Sequence, residues 1–437
     1  MLYLCETFLQ GDKIMKKNLW VKIFAVALVL MCVLTLAACN KEEDVPDSNK
    51  ELAELDKELA EKAEKGETSK GLLFKKTNTP AGEGYLLSGI GECTDTVVII
   101  PAEYEGLKVI GIAPNAFKKS TVDITEIYIP EGVTDIKQRA FAGCKTLEYI
   151  KIPDSVTTMG SNTFDGCVAL KKVYFSKNLT AIPTYAFNDC KSLEAVLLED
   201  TNIEYIGVGA FMNCEGMIKL TLGNSITEIA DNAFENCKTI ARITIPDSVT
   251  KFGKEIFKGC SALGEAHFSN TMTEVPTGMF YNCTTLQKFE IPANITVIGV
   301  DAFRGCESIT KLKLDSNIVE VKDSAFMRCT SLEELYISKS VKNWGNFVTY
   351  FCKNLAKIQY EGKLDEWDQI KCVSQPEKNG PTYIVGPNQS LSMYLSVAAK
   401  FVECSDGTID IEKVRNDLGF NGNLDDVPGD IEGAPEE

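Results

Sequence analysis

Histidine occurs once in these 437 residues, at His267, and no two cysteines are spaced Cys-x-x-Cys. Zinc-type ligand spacing is therefore absent, and any histidine-based catalysis would rest on that one side chain. Glycine-rich phosphate loops are missing, and no pair of carboxylates recurs at a spacing that implies acid–base work. Dense runs of lysine and arginine are missing too: 45 bases stand against 62 acids, a net charge of −17. A nucleic acid would find no field of cations to replace its counterions. The longest apolar run, residues 23–36, falls short of the ~20 residues a spanning helix takes. The expectation is a chain without catalytic, metal or cofactor site, whose architecture is far easier to read than its chemistry.

What is abundant is repetition. Cysteines recur at Cys144, Cys167, Cys190, Cys214, Cys237, Cys260, Cys283, Cys306, Cys329 and Cys352, every step being 23 residues except the 24 between Cys190 and Cys214. A phenylalanine precedes each by three residues from Phe141 through Phe326, and Thr349 replaces it in the last copy. A fixed period of this size is the signature of a solenoid. One such coil has too few apolar side chains to offset the conformational entropy of ordering it, so stability must belong to the stack.

Alternation assigns the faces of each coil. In the copy Leu147-x-x-Ile150-x-Ile152-Pro153-x-x-Val156-x-x-Met159, Ile150 and Ile152 face inward, and Tyr149, Lys151 and Pro153 face out. Pro153, like Pro130, Pro246 and Pro292, ends the strand because it has no N–H for the ladder. Val156 and Met159 make a second inward stripe. Phe164 and Cys167 are expected on a single helical turn of the opposite wall, with the ring filling the coil's middle. Cysteines stacked in one column lie about 5 Å apart, inside the disulfide range, but with parallel rather than converging Cβ vectors. A ladder of buried free thiols acting as small hydrophobes is expected, with sporadic bridging as the alternative.

The flanks differ from the repeats. Residues 41–70 hold 11 acids and 6 bases and residues 403–437 hold 11 acids and 2 bases, so the flanks carry most of the net charge and read as solvated. Residues 1–38 read as an export signal: Lys16, Lys17 and Lys22 precede the apolar run, and Leu36-Ala37-Ala38-Cys39 closes it. That closing sequence resembles the lipobox of bacterial lipoproteins. The resemblance implies cleavage before Cys39, a diacylglycerol on its sulfur, and anchoring to the outer face of the cytoplasmic membrane. A plain secretory signal with an incidental cysteine is the alternative. Residues 1–14 are foreign to such a signal, so translation from Met15 is expected. Residues 39–70 follow as the lipidated cysteine and a charged tether, with helical spacing over 51–65.

Residues 71–117 read as a β-rich N-terminal cap with a first imperfect coil: a hairpin through Phe74 and Tyr85, a strand at 97–100, Phe117 in the phenylalanine slot and Ser120 in place of cysteine. The repeats occupy 118–360. A C-terminal cap, 361–410, places Trp367 and Ile370 over the last coil and a final strand at 397–402. Residues 411–437 read as an acidic disordered tail.

The unit Ile295-Thr296-Val297-Ile298-Gly299 followed by Asp301-Ala302-Phe303-Arg304-Gly305-Cys306, with Gly91-x-Cys93-Thr94-Asp95 upstream and Glu403-Cys404-Ser405-Asp406-Gly407 downstream, resembles the BspA-type leucine-rich repeats of bacterial surface proteins. The resemblance spans about residues 71–410. It implies an α/β repeat solenoid, a leucine-rich-repeat superhelix with one short parallel strand per coil on the concave side and a short second strand and helical turn elsewhere. It departs from the general leucine-rich pattern, since Ser155 and its counterparts hold the place of the usual asparagine, so an asparagine ladder is not carried over.

The outward strand face is the candidate binding surface. Its two columns contribute Tyr128, Tyr149, Lys151, Lys172, Tyr174, Lys219, Arg242, Lys288, Lys311, Lys313, Tyr336 and Lys357. Aromatic and basic groups together suit a protein or glycan ligand on host or neighbouring cells, although exposed strands favour Tyr, Thr and Lys in any case. His267 lies in the same outward slot as Lys151 and reads as a bystander. The resemblance implies a non-catalytic, membrane-anchored cell-surface module for protein binding and adhesion. Carbohydrate recognition is the alternative, and an enzyme would need a site assembled in the tail.

Overall fold

The computed structural model describes residues 48–373 other than 80, 81, 119, 316 and 368, together with 384–385, 401–411 and 413. The expected export signal, Cys39 and nearly all of the acidic tail lie outside the described residues. The chain divides into a unit of residues 1–58 and a unit of residues 59–437. The helical spacing of the tether is a helix, Ser48–Glu64, and the second unit is the solenoid.

The N-terminal cap begins with the antiparallel hairpin Leu73–Thr79 and Gly82–Gly89. Its second strand runs parallel to Leu107–Ile112, which in turn lies beside Asp135–Ile136 of the first full coil. Val97–Ile99 opens the other wall by pairing with Glu126–Tyr128. Phe74 stacks on Tyr104 at 4.2 Å between ring centroids, and Tyr85 meets Tyr104 edge-on at 5.1 Å.

From residue 126 onward each coil contributes three walls. The first holds strands of two to four residues paired in parallel, for example Tyr149↔Lys172, Ile150↔Val173 and Lys151↔Tyr174. The second holds two-residue strands such as Tyr205–Ile206 beside Glu228–Ile229. Glu194 N–H reaches Lys171 at the 23-residue offset, whereas Ala181 pairs with Tyr205 at 24. The extra residue of the long coil is therefore confined to the corner between its two strands.

The third wall is not the expected helical turn. Asn162, Phe164 and Gly166 send their N–H groups to the carbonyls of Thr184, Ala186 and Asn188 in the next coil at 3.0, 2.7 and 2.8 Å, the alternate-residue pattern of a parallel strand. A helix would aim those donors along its own axis and leave the next coil's carbonyls unanswered. Residues of positive φ make the geometry possible. They stand two before the phenylalanine slot, as Asn162 does at 58°, and two after it, as Gly166 does at 73°. Both columns recur through every coil from Arg139 and Gly143 to Phe347 and Phe351.

Inside, the phenylalanines form one continuous pile. Ten rings from Phe117 to Phe326 stack face to face, with 5.0 Å between centroids at Phe141–Phe164 and 5.9 Å at the loosest step, Phe257–Phe280. All ten are completely buried. The ten cysteines of the repeat, Cys144 to Cys352, are free thiols, but they do more than fill space. Cys167 Sγ donates to the Phe141 carbonyl of the preceding coil at 3.2 Å, and the contact recurs through Cys352 on Phe326. The Phe141 carbonyl also accepts the Cys144 N–H, so both lone pairs are used. Burial pushes the Cys144 and Cys260 thiols up to about 12.

Ser155 and its counterparts do form a ladder, of mixed composition. Ser155 donates to Val133 O at 2.8 Å, Asn178 to Asp154 O at 2.8 Å, Asn202 to Lys177 O at 2.8 Å and Ser340 to Ile318 O at 2.8 Å. These side chains tie their corners to the coil before, although the ladder is interrupted at Ser248, whose buried hydroxyl has no partner among the described residues.

At the C-terminal end Trp367 and Ile370 are buried over the last coil, and Trp367 meets Tyr360 edge-on at 5.2 Å. Of the strand expected at 397–402, residues 401 and 402 lie in the strand Phe401–Cys404 and 397–400 lie outside the described residues. That strand runs parallel to Lys357–Tyr360 and turns back at Ser405 and Asp406 into Gly407–Asp410. Residues 386–400 lie outside the described ones.

Candidate ligand-binding walls

The strand wall places the expected residues in two clusters. Tyr149 lies beside Lys172 and Lys151 beside Tyr174, with Tyr128 one strand earlier. Further along, Lys311 lies beside Glu334, Lys313 beside Tyr336, and Glu334 beside Lys357. Lys288 pairs across from Glu265. Between the clusters Lys219 and Arg242 sit among Ala195, Leu197, Thr221 and Thr244, a stretch with few charges in which Leu197 is exposed.

Much of the basic excess is answered locally. Arg242 pairs with Glu265 at 3.1 Å, Lys311 with Glu334 at 3.1 Å, Lys313 with Asp315 at 2.7 Å and Lys357 with Glu403 at 4.0 Å. The Asp315 carboxylate hydrogen-bonded to Lys313 holds that ammonium above the usual lysine range. Lys313 also lies over the Tyr336 ring, and Lys171 over that of Tyr149. His267 is exposed on this wall and meets Glu265 at 3.1 Å. Burial works to raise the Glu265 carboxyl, but its His267 hydrogen bond and the nearby Arg242 hold it below the usual range. No described residues of the His, Cys, Asp and Glu types group to hold a metal ion.

The turn wall carries a second constellation that the residue pattern concealed. Positions just after the phenylalanines stack as Glu235, Lys258, Tyr281 and Arg304 in four successive coils. Lys258 bonds Glu255 at 2.8 Å and approaches Glu235 at 3.5 Å. The Tyr281 ring lies between two cations, Lys258 at 5.7 Å and Arg304 at 5.3 Å. Arg304 is buried, paired with Asp301 at 3.3 Å, and its Nε lacks a hydrogen-bond partner. Burial raises the Asp301 carboxyl although Arg304 opposes it. A side-chain amide ladder lies alongside and before it: Asn188 donates to Asp165 at 2.9 Å and Asn236 to Asn213 at 2.9 Å. In the final coil Phe347, Tyr350 and Phe351 form an aromatic cluster beside Arg328. Reading the wall as a helical turn scattered these residues around a helix. The repeated Asn, Asp and Gly two places from each phenylalanine were the signal for left-handed turns.

Comparison with known proteins agrees with this architecture. The model of the BspA type leucine rich repeat region, in six copies, matches residues 110–239, 198–310 and 273–371. A leucine-rich repeat protein from Bacteroides ovatus shares 22% identity, with 69% of this chain and 98% of that one covered and a TM-score of 0.45. A leucine rich cell surface protein from Faecalibacterium prausnitzii shares 22%, covering 68% and 95%, at 0.43. The pneumococcal vaccine antigen PcpA shares 17%, covering 78% and 87%, at 0.43. Curated protein sequences contain no match. With its family model spanning more than half of the sequence and its coils stacked in file, the chain belongs to the BspA-type leucine-rich repeat family.

Proposed function

We propose that this protein is a non-catalytic module displayed on a bacterial surface, anchored through a lipid on Cys39, that binds a protein ligand for adhesion. The observation that carries the binding role is the strand wall, where Tyr149, Tyr174 and Tyr336 stand beside lysines on adjoining strands, the first two at the edge of a stretch of few charges around the exposed Leu197. Protein interfaces combine a charge-poor centre with aromatic anchors and a polar rim. Anchoring is supported by Leu36-Ala37-Ala38-Cys39 after a basic start and an apolar run. The name of the Faecalibacterium relative as a cell surface protein agrees with display.

Two measurements test the reading. Cys39→Ala should move the protein from the membrane fraction to the medium and abolish incorporation of a labelled fatty acid. Residues 71–410 should capture a ligand from cell-surface extracts, and Tyr149→Ala with Tyr174→Ala should reduce capture at least tenfold without lowering the melting temperature. Capture that survives both substitutions would remove the strand wall from the account. Retention on a glycan array, with none on matrix proteins, would favour carbohydrate recognition.

A further inference from the structure

The aromatic end of the turn wall asks for its own explanation. Phe347 and Phe351 have φ of 55° and 60°, and Arg328 before them has 62°. Their columns hold Asn162 and Gly278, or Gly166 and Asn282, in other coils. Left-handed geometry is routine for glycine and tolerated by asparagine, but a bulky side chain there is an outlier. The last coil thus places two phenylalanines where the backbone disfavours them and leaves one exposed, Phe351 at 36% of its surface. Asparagine or glycine serves the same backbone in many coils and single bulky residues such as Arg139 and Tyr185 in others, but among the described coils only the last places aromatic rings in both columns. Strain kept where cheaper residues would do points toward function.

The surroundings give the site a chemistry. Tyr350 packs edge-on to Phe347 and Phe351 at 5.4 and 4.3 Å, and Arg328 lies over the Phe351 ring at 5.8 Å. Met327 occupies the column position between Arg304 and Tyr350. Aromatic residues, Met and Arg are the types that protein interfaces concentrate. Neither Arg328 nor Lys353 is ion-paired among the described residues. The carboxylate on this stretch, Asp323, already accepts the Asn346 N–H at 2.7 Å. The cluster therefore presents apolar rings bordered by positive charge, on a chain that is acidic as a whole.

We propose that Arg328, Phe347, Tyr350 and Phe351 form a docking site for an acidic segment of a partner protein carrying an apolar anchor residue. The rings take the anchor, and Arg328 with Lys353 takes the flanking carboxylates. This surface is separate from the strand wall and does not depend on it.

The test uses the full chain and a fluorescein-labelled random copolymer of glutamate and tyrosine, read by anisotropy, with a lysine–tyrosine copolymer as the charge-reversed control. The wild type should prefer the glutamate copolymer. The double variant Phe347→Asn with Phe351→Gly should bind it at least tenfold more weakly while melting at the same or a higher temperature, because two disfavoured conformations are relieved. Arg328→Glu should lose the preference for acid while keeping the rings. Tyr149→Ala with Tyr174→Ala should leave this binding unchanged, so failure here and failure of the strand-wall reading are told apart. Undiminished binding by the double variant would overturn the proposal, as would a loss accompanied by a lower melting temperature. So would a concentration-dependent dimer that the double variant abolishes, which would make the occupant a second copy. Heparin binding lost in the same variant would assign the site to an anionic glycan instead.

Discussion

Backbone conformation at single residues decides how this chain closes each coil. Asparagine, aspartate and glycine fill many of the left-handed positions, but Arg139 adopts φ of 56° with its side chain exposed. Arg139→Asn should therefore stabilise the protein by on the order of 1 kcal/mol, measurable as a higher midpoint in chemical denaturation. Gly166→Val, at φ of 73°, should lose at least as much. Glycine also serves close packing: a Cβ on Gly259 would fall 2.2 Å from the Asn236 Oδ1 and one on Gly305 would fall 2.1 Å from that of Asn282. The amide of one coil occupies the place the next coil leaves empty. A similar division follows the second strands, where Gly160, Gly207, Gly253, Gly299 and Gly345 alternate with Lys137, Pro183, Ala230, Pro276 and Lys322. Each of these glycines lies against the backbone of the preceding coil, so the 23-residue unit conceals a two-coil rhythm.

Among elements, the stacked phenylalanines contribute the greatest bulk. Phe234 lies between Phe211 and Phe257 at 5.5 and 5.6 Å, with ring planes within 8° of parallel. Phe234→Ala opens a cavity bounded by both neighbours and should cost about 3–5 kcal/mol. A clearly lower melting temperature is the expected result, and an unchanged melt would remove the ring pile as a source of stability. The strands and the inward phenylalanines were legible in the sequence because alternation and a fixed period are properties of residue order. The third wall was not. Phe-x-x-Cys places two side chains on one face of a helical turn, and it does the same across the turn that Cys167 N–H closes on Phe164 O. The two differ in the φ of Asn162 and Gly166, and Arg139, Tyr185 and Phe351 in the same columns hid that distinction. The C-terminal strand was legible only in part. Apolar residues 397–402 suggested the strand, and Ser405 and Asp406 before Gly407 were the turn signal that carries it on to Cys404.

At the scale of the whole molecule, stability is shared along the stack, and its buried thiols make it sensitive to alkali. Burial raises Cys167, Cys190, Cys214, Cys237, Cys283 and Cys329 well above the ordinary thiol range. In the unfolded chain these groups ionise near pH 8.5, while in the folded protein they stay protonated. The unfolded state then binds fewer protons, so stability is fully present below about pH 8.5 and declines as pH rises toward the folded values. Each thiol contributes a slope of up to about 1.4 kcal/mol per pH unit. Melting temperature measured from pH 7 to 10.5 should hold steady and then fall steeply. Replacing three of these cysteines with alanine should make the fall shallower, and an identical slope would show that thiol ionisation is not its cause.

The lengthened corner between Leu198 and Ile203 carries a lesson in heredity. An added residue there leaves Ala195 beside Lys219 and Ala181 beside Tyr205, so small insertions are absorbed without disturbing either ladder. Unequal recombination that gains or loses two neighbouring coils at a time would preserve both the repeat phase and the alternation of glycine along the second strands. Lineages can thus lengthen, shorten or splice loops into this protein while its interior goes on fitting together.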